Sequence, residues 1–338
     1  MQRLIIVYNP NSSKYIHVRD EVLASLSQLK STMIGKFAIK KAPFEDNLRE
    51  LKKVLKDEDL VIAAGGDATA AVTANAILES DKDVTLAALP YGNFNDLART
   101  LGTMKFDDIR VEATGINTLR GFRSAAARGL AREPRGDGSE RRDPKSINSV
   151  ARRLYPLDII VDGKHWRYAT CYVTIGMMAE AVELFDEPKI RKKMKKGHRS
   201  SWRSYLQLAK WYFRNRHKKV FLPEFTLNGK SVRRRASDYV AVNGHSISRV
   251  MKGGNDYLDP QAFRSTVEKT ISFPRLFTFM AKSILSQVPG GKTTGDLIEF
   301  LKPTKVELQA EGEYKIFENV HKIEIRKPKK CLKVVHKN

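Results

Sequence analysis

Cysteine is almost missing from this chain: Cys171 and Cys331 are the only two in 338 residues. Neither has a second thiol nearby or a histidine at metal-ligand spacing, which excludes a disulfide framework and a Cys/His zinc site and leaves two free thiols. The seven histidines are scattered as well. No apolar run is long enough to cross a bilayer. The start, Met1-Gln2-Arg3 leading into Leu4 to Tyr8, has too short an apolar part for a secretory signal and reads as a first strand, so a cytoplasmic location is expected. Acidic residues are outnumbered, 38 Asp and Glu against 61 Lys and Arg, and the formal net charge is +23. From Lys189 to Lys219 there is no Asp or Glu, while Lys192, Lys193, Lys195, Lys196, Arg199, Arg203, Arg214, Arg216, Lys218 and Lys219 crowd the stretch. Between these clusters Trp202, Tyr205, Leu206, Ala209, Tyr212 and Phe213 recur at helical spacing, which describes a basic amphipathic helix. Such a helix docks on an anionic membrane or packs on a core with a solvated basic rim. No stacking motif or basic recognition helix accompanies it, so no specific nucleic-acid partner is expected.

Against these absences stand two glycine-bearing turns. Gly65-Gly66-Asp67-Ala68-Thr69 follows the apolar run Leu60 to Ala64, and an Ala-rich helical stretch continues to Leu78. Pro90-Tyr91-Gly92-Asn93-Phe94-Asn95-Asp96 follows Thr85 to Leu89 and leads into Leu97 to Leu101. Each is strand, polar turn, helix. Glycine lets the backbone approach a ligand, and the open N–H groups of a helix start attract an anion. Loops leaving the carboxyl ends of neighbouring parallel strands line one crevice, so both turns are placed to face one nucleotide.

The two turns resemble the Gly-Gly-Asp-Gly-Thr and Pro-x-Gly-Thr-x-Asn-Asp motifs of the diacylglycerol kinase catalytic family, lipid kinases that share a nucleotide fold with NAD kinases. Asn9-Pro10-Asn11-Ser12-Ser13 is similar to that family's Asn-Pro-x-Ser-Gly. Thr174 to Ala179, Lys196-Gly197 through Tyr205-Leu206, Val240 to Gly244, Gly253-Gly254, Pro260-Gln261-Ala262 and Glu311-Gly312-Glu313 follow in the family's order. The resemblance implies an NAD kinase-like parallel α/β domain over residues 1–118, with residues 327–338 packing back on it. It further implies an antiparallel β-rich lipid-substrate domain over 154–326. Residues 119–153, rich in Arg, Gly, Ser, Asp and Pro, read as a basic flexible insertion. Strands are expected at Leu4–Tyr8, Phe37–Lys40, Leu60–Ala64 and Thr85–Leu89, alternating with helices at Val18–Lys30, Asn47–Leu55, Ala68–Leu78 and Leu97–Leu101. In the second domain they are expected at Tyr168–Ile175, Phe221–Leu227, Asp238–Val242, Thr304–Gln309 and Lys322–Arg326.

By the same resemblance the chain transfers phosphate from ATP, with Mg²⁺, to a membrane-lipid hydroxyl, associating peripherally with the inner membrane face through the Lys189–Lys219 region. Asn9, Gly65, Gly66, Ala68, Thr69, Gly92, Asn95 and Asp96 are the nucleotide-binding candidates. Asp67 and Asp96 act through Mg²⁺ or by orienting the loops. Glu313 is the general-base candidate and Asp67 its rival. The chain also departs from the family. Ser13, Ala68 and Phe94 stand where a glycine or small residue is usual, and a positive φ at such a position costs a non-glycine residue about 1–2 kcal/mol. The family's Asp-Asp-Gly stretch, which helps bind a structural metal, reads Arg264-Ser265-Thr266 here, so that metal site is expected to be absent. These departures motivate a second reading, a catalytically inactive lipid- or membrane-binding protein on the kinase fold. NAD kinase is a lesser rival.

Overall fold

The computed structural model describes residues 3–12, 14–29, 33–109, 149–180, 210, 213, 214, 222–232, 236–247, 251–268, 278, 281–283 and 285–337. They form two units, Met1–Tyr155 with Lys330–Asn338, and Pro156–Lys329.

The first unit is built on β1 (Arg3–Tyr8), β2 (Met33–Ala38), β3 (Leu60–Gly65), β4 (Thr85–Pro90) and β5 (Ser149–Leu154). A sixth strand, Leu332–Lys337, comes from the chain's last segment and completes the order β2-β1-β3-β4-(332–337)-β5. Pairing is parallel except between the last segment and β5. Every residue of β3 is buried, as a strand covered on both faces requires, and its sequence Leu-Val-Ile-Ala-Ala-Gly has no polar member. Between strands run α1 (Tyr15–His17), α2 (Phe44–Val54), α3 (Asp67–Ser80) and α4 (Asp96–Thr100). α1 continues as a π-helical turn, Val18–Leu23, and a 3₁₀ turn, Ser25–Gln28. α3 is buried at every residue from Thr69 to Leu78, which its small alanines permit and its helix propensity favours. α2 is amphipathic, burying Leu48 and Leu51, with Glu45 and Asp46 in its first turn and Lys52 and Lys53 in its last. That charge order complements the helix dipole.

Two side chains fix the strand entries. Arg3 forks onto Asp59 through Nε to Oδ1 at 2.8 Å and Nη2 to Oδ2 at 2.6 Å, joining the start of β1 to the approach to β3. The buried Asn47 amide accepts the Lys40 N–H at 2.8 Å and donates to the carbonyls of Lys40, Ala42 and Pro43, locking the turn from β2 into α2.

The second unit holds β6 (Leu157–Val161), β7 (Lys164–Ala169), β8 (Tyr172–Gly176), β9 (Phe225–Leu227), β10 (Lys230–Val232), β11 (Asp238–Val242), β12 (Ser246–Ile247), β13 (Met251–Lys252), β14 (Phe263–Glu268), β15 (Gly291–Thr293), β16 (Gly295–Ala310) and β17 (Glu313–Arg326). The main sheet is antiparallel in the order β15-β14-β11-β8-β16-β17-β6-β7, with β9 also on β16. Its apolar core includes Phe225, Tyr239, Phe263, Val173, Ile175, Leu308 and Ile323. Alternation along β8 sends Val173 and Ile175 into that core. The other face carries Thr174, whose hydroxyl donates to Gln309 Oε1 at 2.6 Å, and Tyr172, whose hydroxyl accepts from Gln309 Nε2 at 3.2 Å.

The mixed fold class agrees with expectation, but several boundaries move. The first unit extends to Tyr155, because residues 149–154, read as the end of an insertion and the start of the next domain, form strand β5. The returning segment begins at Lys330 rather than 327. β2 lies at Met33–Ala38 rather than at Phe37–Lys40. Tyr168–Ile175 is two strands divided at Thr170-Cys171, and the short strands expected near Thr304 and Lys322 are the ends of one long hairpin. Ser13, most of the insertion and nearly all of Lys189–Lys219 lie outside the described residues.

Candidate functional site

Three turns leave the carboxyl ends of β1, β3 and β4, which are neighbours in the sheet, with Tyr8 paired to Ala64 and Gly65 to Pro90. In the first, Asn9 Oδ1 accepts the Asn11 N–H at 2.9 Å and Asn9 C=O accepts the Ser12 N–H at 3.1 Å. This Asx turn reverses the chain within four residues. The second runs through Gly65 and Gly66 into α3. The helix's first bond goes from Ala70 N–H to Gly66 C=O at 3.0 Å, so the N–H groups before Ala70 are unused by the helix. A side chain at Gly65 would enter the space of buried Thr69.

The third turn is held mostly by side chains. Asn95 is left-handed, with φ 58° and ψ 44°, a region that asparagine tolerates better than most residues. Its Oδ1 accepts the Gly92 N–H at 2.6 Å and its Nδ2 donates to Gly92 C=O at 3.0 Å. Asp67 then clamps the third turn to the second, as Oδ2 accepts the Asn95 N–H at 3.0 Å and Oδ1 the Asp96 N–H at 2.6 Å. Where the turns touch, a Cβ on Gly92 would overlap Gly66 Cα, so the close approach needs glycine. From the other side, Lys14 Nζ donates to Gly92 C=O at 2.8 Å and the Tyr91 hydroxyl donates to Glu21 Oε2 at 2.9 Å.

Electrostatically, burial pushes the Asp67 carboxyl above its ordinary range, while its backbone N–H partners and the nearby Arg99 guanidinium pull it back. The charge is thus held by donors it also positions. Asp96 is only 2% exposed, so it is part of the scaffold beneath the turn. Asn9, Gly65, Gly66, Ala68, Thr69, Gly92, Asn95 and Asp96 all belong to these three turns. Helix start, glycine backbone and polar turn side chains together have the chemistry that suits an anion.

Ala68 and Phe94 do not carry the strain expected of them. Neither has a positive φ; among the described non-glycine residues of these three turns, that conformation falls to Asn95. Ala68 is a helical residue of α3, and the Phe94 side chain is 43% exposed. Accordingly, Phe94→Ala is expected to change ATP affinity and thermal stability by no more than about 0.5 kcal/mol. Titration calorimetry and a melting curve check this, and a large gain in affinity would show that the ring obstructs the site.

In the second unit, Glu311 and Gly312 form the turn of the β16–β17 hairpin with φ 52° and 88°, a two-residue turn of the type that matches strand twist. Glu313 opens β17 opposite Ala310 and is partly buried. Glu311 is the more deeply held of the two, since Thr170 Oγ1 and the Cys171 N–H both donate to its Oε1. At the Arg264-Ser265-Thr266 stretch, Arg264 Nε lies 3.9 Å from Asp256 Oδ2. Lys292 Nζ lies 3.5 Å from Asp256 Oδ1 and 3.7 Å from Asp259 Oδ2. Lys327 Nζ donates to Asn243 Oδ1 and to Asp256 C=O at 2.9 Å. Side-chain cations therefore already neighbour these carboxylates. Burial lowers the Lys327 ammonium to about 7.

Sequence reasoning missed Lys14, Glu21 and Thr170. Each acts on a residue at least 70 positions away, and no local spacing announces such a contact.

Residues 3–122 match the model of the diacylglycerol kinase catalytic domain. The chain is 32% identical over 127 residues to a diacylglycerol kinase of Bacillus subtilis (strain 168), covering 35% of this chain and 39% of that protein. It is 33% identical over 122 residues to one of Staphylococcus carnosus (strain TM300), covering 34% and 39%. The chain thus spans about two fifths of the length of these curated relatives. The fold resembles that of a diacylglycerol kinase from Bacillus anthracis str. Sterne, with TM-score 0.60, 15% identity, and 99% and 96% of the two chains covered.

Proposed function

We propose that this chain, whose residues 3–122 match the diacylglycerol kinase catalytic domain, is an ATP-dependent lipid kinase acting on the hydroxyl of a membrane lipid such as diacylglycerol or another lipid alcohol. The observation that carries the reading is the clamp of Asp67 on the Asn95 and Asp96 N–H groups, which makes one site of two phosphate turns.

The reaction needs negative charge held in place and an acceptor hydroxyl deprotonated. The open end of α3 and the glycine backbones of Gly65, Gly66 and Gly92 receive the phosphates. Asn9 and Thr69 fix the turns around them. Asp67 and Asn95 keep the two loops in register before nucleotide arrives, so no reorganisation is required at the moment of transfer. Each Asp67 oxygen accepts one N–H and keeps lone-pair capacity, so Asp67 also fits a Mg²⁺ ligand, and the ion would neutralise phosphate charge there. A general base takes the proton of the lipid hydroxyl, the role that the resemblance gives Glu313. The hydroxyl oxygen bonds to the γ-phosphorus, the bond to the β-phosphate bridging oxygen breaks, and ADP leaves with that electron pair.

Incubating the protein with γ-labelled ATP, Mg²⁺ and a total lipid extract tests the proposal. Label in a lipid whose mass has grown by one phosphate supports it, and label confined to water-soluble products overturns it. The inactive reading predicts ATP binding without transfer.

For the membrane partner, the acid-free Lys189–Lys219 stretch carries the argument. Replacing Lys192, Lys193, Lys195 and Lys196 with Gln is expected to weaken binding to anionic vesicles by up to about 4 kcal/mol at low salt, at about 1 kcal/mol per residue. Neutral vesicles should show little change. Vesicle sedimentation giving equal binding for both proteins would instead assign the basic stretch to the solvated rim of a core helix.

A further inference from the structure

We propose that Lys14 is a phosphate-contacting residue of the nucleotide site, a role that rests on the kinase reading above. Lys14 follows the first turn, and its Nζ donates at 2.8 Å to Gly92 C=O, 78 residues further along the chain. The same carbonyl accepts Asn95 Nδ2 at 3.0 Å. Gly92 is also the residue whose backbone meets Gly66, where α3 opens. The ammonium therefore stands where all three turns converge.

An ammonium has three N–H donors, and Lys14 spends one. Among the described residues it forms no second hydrogen bond and no ion pair. The carboxylates nearest in the network are engaged elsewhere: Asp67 on the Asn95 and Asp96 N–H groups, Glu21 on the Tyr91 hydroxyl. Among the described residues the cation thus lacks a paired countercharge, and it lies beside a helix start that favours anions. Ser12 Oγ, in the first turn, is buried and has no hydrogen-bond partner among the described residues. An unused hydroxyl on the first turn, a helix start on the second and a cation bonded across to the third suit an extended polyanion, the phosphate chain of a nucleotide, better than a single small anion. Because the bond to Gly92 already orders the long side chain, less conformational freedom is lost when phosphate binds.

The test uses the full chain as wild type, Lys14→Met and Lys14→Arg, titrated calorimetrically with inorganic tripolyphosphate, with ATP and with adenosine. Lys14→Met should weaken tripolyphosphate and ATP by at least about tenfold while leaving adenosine unchanged, and Lys14→Arg should recover most of the loss. Tripolyphosphate bound equally by wild type and Lys14→Met overturns the proposal. So does a parallel loss of adenosine affinity, which would make the lysine a clamp on the fold. A phosphatidylglycerol-vesicle arm separates the other source of phosphate: vesicle binding lost with tripolyphosphate unchanged assigns the lysine to lipid headgroups and also overturns it. A wild type that binds tripolyphosphate through Lys14 yet phosphorylates no lipid rejects the kinase reading alone. Lipid phosphorylation combined with Lys14-independent tripolyphosphate binding rejects this proposal alone.

Discussion

Asp67→Asn is expected to lower kcat/KM for lipid phosphorylation by at least about a thousandfold, in proportion to losses seen when a preorganised contact and its charge are removed together. The carboxylate accepts two backbone N–H groups, one on each oxygen, from Asn95 and Asp96. An amide has only one oxygen. Its NH₂ must face the second N–H, leaving that donor unpaired at a cost of about 1–3 kcal/mol, and the third turn shifts away from the second. The stability change is smaller than the activity change, because the same substitution relieves the burial that pushes the Asp67 carboxyl upward. Steady-state kinetics and a thermal melt measure the two effects separately. Turnover equal to wild type would remove the clamp from the mechanism. Asp67→Ala, which frees both N–H groups, should be at least as inactive and less stable.

The second large effect concerns stability in the other domain. Asp238 is 2% exposed on β11, and its Oδ1 accepts the Met178 N–H at 2.6 Å. Burial raises its carboxyl to about 7 from an ordinary 3.8, with Glu268 and Glu180 adding to the rise and the Met178 and Ser237 bonds opposing it. Below pH 3.8 the group is protonated in both native and unfolded chains. Between there and about 7 the native chain keeps a proton that the unfolded chain has released, so stability falls as pH rises. Above that window the deficit is constant. Each pKa unit corresponds to about 1.4 kcal/mol, so Asp238→Asn, which cannot ionise and can still accept the Met178 N–H, should stabilise the domain at pH 8 by as much as ~4 kcal/mol. Urea unfolding followed by tryptophan fluorescence across this pH range should show the profiles converging in acid and diverging towards neutrality. Parallel profiles would refute the assignment.

The parts of the fold legible in the sequence are those governed by short-range rules. β3 announces itself because a parallel strand covered on both faces must be continuously apolar. α3 does so through its alanines, and the turns of Gly65 and Gly92 through residues that few other conformations require. β5 was hidden because its Ser-Val-Ala-Arg-Arg-Leu stretch gains strand structure only from the chain's last segment, nearly two hundred positions later. In the sequence the long β16–β17 hairpin looks like fragments because a register irregularity between Glu299 and Val306 interrupts its alternation. At the site, the sequence marks Asp67 as functional without separating metal binding from loop orientation. Its third-turn partners are backbone N–H groups 28 and 29 residues away, which carry no sequence signature. Phe94 looked obstructive by comparison with a motif, whereas the left-handed residue of that turn is its neighbour Asn95.

If the three turns hold ATP for transfer to a lipid hydroxyl, as proposed, ADP release should track lipid phosphorylation, which is measured with vesicles that contain a lipid alcohol and vesicles of phosphatidylcholine alone, using wild type and Asp67→Asn in parallel. ADP and phosphorylated lipid should form one for one with the wild type, only where the alcohol is present, and be lost in Asp67→Asn. ADP release that ignores the alcohol, or no release above that of Asp67→Asn, would contradict the proposal.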